Sequence, residues 1–390
     1  MHHLQCGRQR GFAVVLRRQL LDPACPSLAE AIGGRRAFVV TTPTVDRVYG
    51  PALRRACEAW GVDHAVAVLP LDERTKTMDS VLEVCALARA NGIGRRDLIV
   101  AFGGGVATDV VTMAASLYRR GVPCLRLPTT LTGQIDAGIG VKSAVNAHGA
   151  KSALGCFDPP EAVISDPGWL TSLPRRALRS GFAEIIKIAA VRDADLLDLV
   201  LRHGPALVAS GFAEPAAVVE PMLGRSIDLM LDELRVNPYE DDLERVVDFG
   251  HTFSPALEIA SHHQLTHGEA VAIDIALSTS VARHLGLLAE ADADVVLTAL
   301  RSMGLPTGSP LVTPRLLAAA ADEAVAHRGG ALNLVLLRGL GRPVFLRSRE
   351  ELSERLLRAV VRDLDRSAPV DLGALSTAGA RPSPDGAGAA

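Results

Sequence analysis

Short apolar runs alternate with segments whose apolar side chains recur every three or four positions through the first 150 or so residues. The runs FAVVL at 12–16, RRAFVVTT from Arg35, HAVAVLP from His64, DLIVAF from Asp97 and PCLRLPT from Pro123 predict strands. Helical spacing fills the gaps: SLAEAI, Val48 to Trp60, Glu73 to Gly92, and VVTMAASLYRRG. Strands that alternate with helices pair in parallel, so this part predicts an open Rossmann-like α/β sheet.

From about Trp169 the pattern changes, and helix-compatible stretches such as LTSLPRRALRSGFAEIIKIAA dominate to about residue 326. Pro167, Gly168 and Pro174 punctuate the change. The expected organisation is an α/β N-terminal domain over 1–168 and a mainly α-helical C-terminal domain over 169–365. A small hairpin is expected from GGALNLVLLRGLG and RPVFL, and a disordered tail over 366–390, rich in Ala, Gly, Ser and Pro. No internal repeat is visible.

The 390 residues suffice for two sizeable cores, with 48% hydrophobic and 22% charged content. A net charge of −3 without a basic stripe argues against nucleic acid as a partner. Cys6, Cys25, Cys57, Cys85, Cys124 and Cys156 are scattered without CxxC pairs, which suits a reducing compartment. The N-terminal apolar run ends at Arg17 and Arg18, too short for a signal core or a membrane span, so a cytoplasmic protein is expected.

Chemistry enters where DLIVAF breaks into Gly103, Gly104 and Gly105. A glycine turn between strand and helix lets backbone N–H groups approach a phosphate; a tight turn without ligand is the alternative. The polar segment TTLTGQIDAGIGVKSAVNAHGAKSALG is long for a loop, and its Asp136, Lys142, Asn146 and Lys151 favour function over a solvated surface hairpin.

Glu184 and Lys187 share a helical face in apolar surroundings, which favours a site over a surface ion pair. His251 and His267 each stand beside a glycine; with a buried Glu they would form the three-ligand set of a catalytic zinc. His262 and His263 fall in a polar turn and are expected to be exposed. Together with the cations Arg120, Lys142, Lys151 and Lys187, these features indicate a metal-assisted, NAD-dependent enzyme acting on a phosphorylated polyol or sugar.

GGGVATD, LYRRG, LPTTLTGQIDAGIGVK, AEIIK, DFGHT and HGEAVA stand in the order found in the sugar phosphate cyclases, and the resemblance to this superfamily of 3-dehydroquinate synthase covers about residues 35–345. It implies Glu184, His251 and His267 as ligands of Zn2+, with Co2+ as a substitute. It assigns Glu73, Lys76, the three glycines, Asp109, Thr129, Thr130, Asp136, Lys142 and Lys151 to NAD. Arg120, Asp136, Lys142, Asn146, Ser152, Lys187, Asp248 and His327 would face the substrate. Lys142, Lys187, Asp248, His251 and Asp136 would carry catalysis, and Arg120 would reach the phosphate site of the other subunit in a homodimer.

The departures narrow the substrate. Dehydroquinate synthases carry LNxGHTxxH, where this chain has Asp248 and Pro255; Glu244 and Met230 replace the Arg and Lys that serve a substrate carboxylate. Ser152 replaces the usual Asn. Asp248, Pro255 and His327 resemble the 2-epi-5-epi-valiolone synthases, which cyclise sedoheptulose 7-phosphate through transient oxidation by NAD, phosphate elimination, reduction and aldol closure. The alternatives are 2-epi-valiolone or gadusol-type synthases on the same sugar, dehydroquinate synthase, a metal-dependent polyol dehydrogenase, and a binding protein without turnover.

Overall fold

The structure is a computed structural model that describes residues 11–365; the expected tail and Cys6 lie outside these residues. The first part runs β1 (Ala13–Leu16), α1 (Ser27–Ile32), β2 (Ala37–Thr41), α2 (Pro43–Ala59), β3 (His64–Val68), α3 (Met78–Ala90), β4 (Leu98–Gly103), α4 (Gly105–Leu117) and β5 (Cys124–Pro128). A π-type turn at Gly133–Ala137, an antiparallel hairpin of β6 (Lys142–Ala147) and β7 (Ala150–Phe157), and β8 (Ala162–Ser165) follow. Helices then take over: α5 (Arg175–Arg192), α6 (Ala194–Ala209), α7 (Ala216–Val236), α8 (Ser254–Ala260), α9 (His267–His284), α10 (Glu290–Ser302) and α11 (Pro314–His327). The hairpin β9 (Leu334–Leu337) and β10 (Pro343–Leu346) and helix α12 (Glu354–Asp365) close the chain's described part.

Six strands form one parallel sheet in the order β1-β8-β5-β4-β2-β3. Its central strands β2, β4 and β5 are buried along their whole length, as a sheet covered on both faces requires. Alternate residues serve opposite cores: Phe38, Val40, Ile99 and Ala101 point to one, Ala37, Val39, Leu98 and Val100 to the other. The chain leaves β2 in one direction and returns past it to β4. The strand order therefore reverses beside the triple glycine, and ligands bind at such a crevice.

The helical part is organised around α5 and α9. Every residue of α9 from Gly268 to Ala282 is buried, and α5 is buried from Gly181 to Val191. They touch where Gly268 donates its backbone N–H to Ser180 Oγ at 3.0 Å. A Cβ at position 268 would collide with the Ser180 backbone, so only glycine permits this approach.

Four features differ from the sequence pattern. Helix α2 begins at Pro43 rather than Val48, because Thr42 caps it and proline suits the first helical position. Helix α3 begins at Met78 rather than Glu73: the Asp72 carboxylate accepts the backbone N–H groups of Arg74 and Thr75, which folds 72–75 into a turn. The polar segment after β5 contains a hairpin, and its Lys151 reaches the buried Glu258 of the helical half rather than solvent. Strand β8, four residues with a proline pair before it, was not anticipated and pairs with both β1 and β5.

Candidate active site

Helix α5 carries Glu184 and Lys187 one turn apart, 1% and 2% exposed. Lys187 Nζ lies 2.6 Å from Glu184 Oε2 and 2.6 Å from Asp136 Oδ2, so the π-type turn after β5 meets α5 through one ammonium group. Burial alone would lower the Lys187 pKa, but the Asp136 and Glu184 carboxylates outweigh it and hold the amine charged. Burial raises the Asp136 carboxyl above its ordinary value against the pull of Lys187. Glu184 goes the other way: burial opposes its charge, yet Lys187 and the two histidines hold it well below the usual range.

His267 opens α9, where Thr266 and Glu269 form a reciprocal cap. Its Nε2 is 3.1 Å from Glu184 Oε1, and its Nδ1 is 2.9 Å from Glu258 Oε1. His251 reaches Glu184 Oε1 at 3.9 Å through Nε2, with Nδ1 3.2 Å from the Phe249 carbonyl. The ring nitrogens facing Glu184 are thus left as lone-pair donors when the other nitrogens carry the protons. Asp274, fully buried on α9, accepts the backbone N–H groups of Phe253 at 2.5 Å and Ser254 at 2.8 Å, which anchors the loop of His251.

One atom each of Glu184, His251 and His267 lies within 4.8 Å of the others, as a metal site needs. The Glu184 oxygens also suit a bound cation: both are buried without a well-directed hydrogen bond, although Lys187 and His267 stand within ion-pair distance. One carboxylate and two imidazoles with an open side suit a divalent ion that keeps a position for substrate oxygen. His262 is exposed as expected, whereas His263 is half-buried and contributes nothing to this set.

At the strand ends, the Gly103 carbonyl accepts the Thr129 N–H at 2.9 Å, bringing the triple glycine against the next turn. None of the three glycines has positive φ; the requirement is space. A Cβ on Gly104 would lie 3.0 Å from Thr130 Cγ2, and one on Gly103 would lie 2.7 Å from Ala107 Cβ. Lys76 pairs with Asp109 at 2.5 Å, and Asn146 donates to Glu73 Oε1 at 2.9 Å. Ser152 donates its backbone N–H to Asn146 Oδ1 at 2.8 Å, its side chain being exposed. A cofactor's phosphates would therefore meet the first turn of α4, with Lys76 and Asp109 beside it.

Lys151 crosses from the β6–β7 hairpin to Glu258 Oε2 at 2.5 Å. Asp248 sits 3.1 Å from Arg245 Nη2 and 3.7 Å from Arg328 Nη2, while Lys142 pairs with Glu240 at 2.8 Å. His327 is exposed at the end of α11; its neighbour Arg328 is the residue turned inward. Arg120 is exposed. Glu258, Asp274, Arg245 and Arg328 were missed from sequence; the HTxxxxxE spacing that puts Glu258 one turn into α8 was a signal available for the first.

This fold and this ligand set define the class of two-part proteins with a nucleotide-binding sheet and a helical metal-binding half. The family model for the 3-dehydroquinate synthase N-terminal part matches residues 66–180, and that for the C-terminal part matches 181–324. The chain belongs to the sugar phosphate cyclases, the family of 3-dehydroquinate synthase. It is 42% identical over 367 residues, 91% of this chain and 89% of the relative, to a 2-epi-5-epi-valiolone synthase of Streptomyces hygroscopicus subsp. jinggangensis. A solved 2-epi-5-epi-valiolone synthase from that organism, with NAD+ and Zn2+ bound, superposes with a TM-score of 0.90 at 41% identity, covering 94% of this chain and 100% of that one. A 2-deoxy-scyllo-inosose synthase complexed with carbaglucose-6-phosphate, NAD+ and Co2+ shares the fold, with a TM-score of 0.77 at 24% identity over 91% and 98% of the chains. Among the described residues no helix is long and apolar enough to cross a membrane.

Proposed function

We propose that the protein is a 2-epi-5-epi-valiolone synthase, a phosphate-eliminating lyase that cyclises sedoheptulose 7-phosphate. The observation that carries this reading is the convergence of Glu184, His251 and His267 beside the buried Lys187 and its half-buried partner Asp136. The choice of a substrate without a carboxylate is supported by Glu244, which is held 2.5 Å from Arg347 Nε, and by Met230, which is buried. The net reaction closes a carbon ring and releases inorganic phosphate without net oxidation or reduction.

When bound, the divalent metal supplies a Lewis acid for the substrate oxygens and NAD+ a reversible hydride acceptor. The chain's own residues do the rest. Lys187 Nζ keeps a proton between two carboxylates, where it can donate to a substrate oxygen; Asp136 Oδ2, its acidity weakened by burial, can accept one. Lys142 and Lys151 offer cations to phosphate, with Asn146 and Ser152 on the same hairpin. Asp248 is read as a contact for sugar hydroxyls; His327, which the resemblance set beside it, is exposed, and Arg328 takes the inner position.

Residues 1–168 would bind NAD+ through Glu73, Lys76, Gly103 to Gly105, Asp109, Thr129 and Thr130, and residues 169–365 would hold metal and substrate. Arg120, exposed in one chain, fits a role across the interface of a homodimer. The reading also places the protein in the cytoplasm.

The test incubates purified protein with NAD+, Zn2+ or Co2+ and sedoheptulose 7-phosphate. Phosphate release without NADH accumulation, and the NMR spectrum of 2-epi-5-epi-valiolone, are expected. A different ring isomer would overturn the product, and net NADH would indicate a dehydrogenase.

A further inference from the structure

The cluster around Asp248 contains more cations than a site for a neutral sugar head needs. Arg245, Arg328 and Lys142 converge from the segment after α7, the end of α11 and the start of β6. Two carboxylates answer them. Glu240 accepts from Arg245 Nη1 at 2.5 Å and from Lys142 Nζ at 2.8 Å through one oxygen, and Asp248 lies between Arg245 and Arg328. Arg328 is fixed besides by the carbonyls of Leu332 at 2.7 Å and Asn333 at 3.2 Å and by Thr252 Oγ1 at 3.2 Å, so it cannot swing away.

The position matters because Asp248 is joined to the metal set: the His251 N–H donates to the Asp248 carbonyl at 2.9 Å. Its side chain is 19% exposed, enough to meet a ligand, and Lys142 is 57% exposed. With Lys142 given to phosphate, Arg245 and Arg328 stand against two carboxylates and are balanced. Without Asp248 one arginine charge would be left uncovered, beside the site proposed for a polyhydroxylated substrate. Buried or half-buried cations of this kind bind a ligand carboxylate strongly when no internal one is supplied.

We infer that Asp248, with Glu240 behind it, is a built-in counter-carboxylate that occupies the Arg245–Arg328 cation pair and so bars substrates bearing their own carboxylate from this end of the site. This deepens the proposed function and rests on it: neutral-headed sugar phosphates are selected by charge already satisfied, as much as by the missing cations at Met230 and Glu244. A rejecting group of this sort is a recognised route to specificity.

The experiment measures binding of two matched probes by calorimetry, D-glucitol 6-phosphate and D-gluconate 6-phosphate, to enzyme loaded with NAD+ and Zn2+. They differ only in a terminal hydroxymethyl or carboxylate group. The wild-type protein is expected to prefer the glucitol ester. In Asp248→Asn the affinity for the gluconate ester itself should rise about tenfold, on the order of one extra charge contact in a partly screened site, and the gain should shrink at high salt. Glu240→Gln, at the more exposed end, should move the gluconate affinity in the same direction and keeps the test open where Asp248→Asn fails to fold. Gluconate affinity that is unchanged or lower in both variants, with the glucitol ester still bound by wild type, overturns the inference alone. If wild type binds neither ester while NAD+ and Zn2+ are bound, the sugar phosphate reading fails and takes this inference with it.

Discussion

Glu258 accepts a hydrogen bond from Nδ1 of His267 at 2.9 Å, and its second oxygen holds Lys151 at 2.5 Å. One buried carboxylate therefore orients a metal-facing imidazole and ties the β6–β7 hairpin to the helical half. Burial would raise its pKa, but His267 and Lys151 push it down to about 2, so it is a fixed anion at working pH. Replacing it by glutamine should lower metal affinity about 10–100-fold, as loss of such a partner does elsewhere. Competition against a chromophoric chelator measures this, with the melting temperature of the metal-free variant as control.

Metal binding should depend on pH through one proton. Burial and Lys187 push His251 down to about 3, so it stays neutral. For His267, burial and Lys151 are outweighed by Glu258 and Glu184, and its pKa is pushed up to about 9. The metal must displace that proton. Apparent affinity should rise about tenfold per pH unit between about pH 5 and 8 and level off above about 9, with one proton released per ion. Between about pH 6.5 and 9 the metal-free protein should show the opposite trend in stability. A raised histidine pKa contributes stability below its unfolded value of 6.5, and that is lost as pH rises through about 9. Titration of proton release and thermal melts without metal check the two halves.

Gly268→Ala should damage the site from a distance. The added methyl would drive into the Ser180 backbone and part α9 from α5, which carry His267 and Glu184. Overpacking of this kind costs about 1–3 kcal/mol or more. A lowered melting temperature together with weakened metal binding is expected. Normal values of both would mean that the two helices can slide apart without loss.

Lys187→Met keeps length and removes the charge between Asp136 and Glu184. Metal content should survive, because Glu184 retains both histidines. The rate of phosphate release should fall about 10²–10⁴-fold, the usual contribution of a positioned proton donor. Retained metal with near-normal turnover would remove Lys187 from the mechanism.

Much of this architecture was legible as pattern. The strands β2, β4 and β5 are apolar runs because both their faces are covered, whereas the segment of β6–β7 shows charged residues among glycines and points to function before it points to a hairpin. The start of α3 was misplaced because a side chain, Asp72, captures two backbone donors that a periodicity reading counts as helical. Strand β8 is too short to show a period, and its place between β1 and β5 comes from pairing partners far away in the chain.

Residue chemistry and local period belong to the sequence: a glycine break after an apolar run, a Glu and a Lys one helical turn apart, two histidines beside glycines. Those are set within a turn or two of chain, where covalent geometry fixes which side chains share a face. Whether Glu184, His251 and His267 meet was decided only by the packing of α5 on α9 through Gly268, and by Asp274 pinning the His251 loop. So was the entry of Arg328 rather than its neighbour His327 beside Asp248. Contacts between distant segments depend on how whole elements fill a core, and no local spacing encodes that.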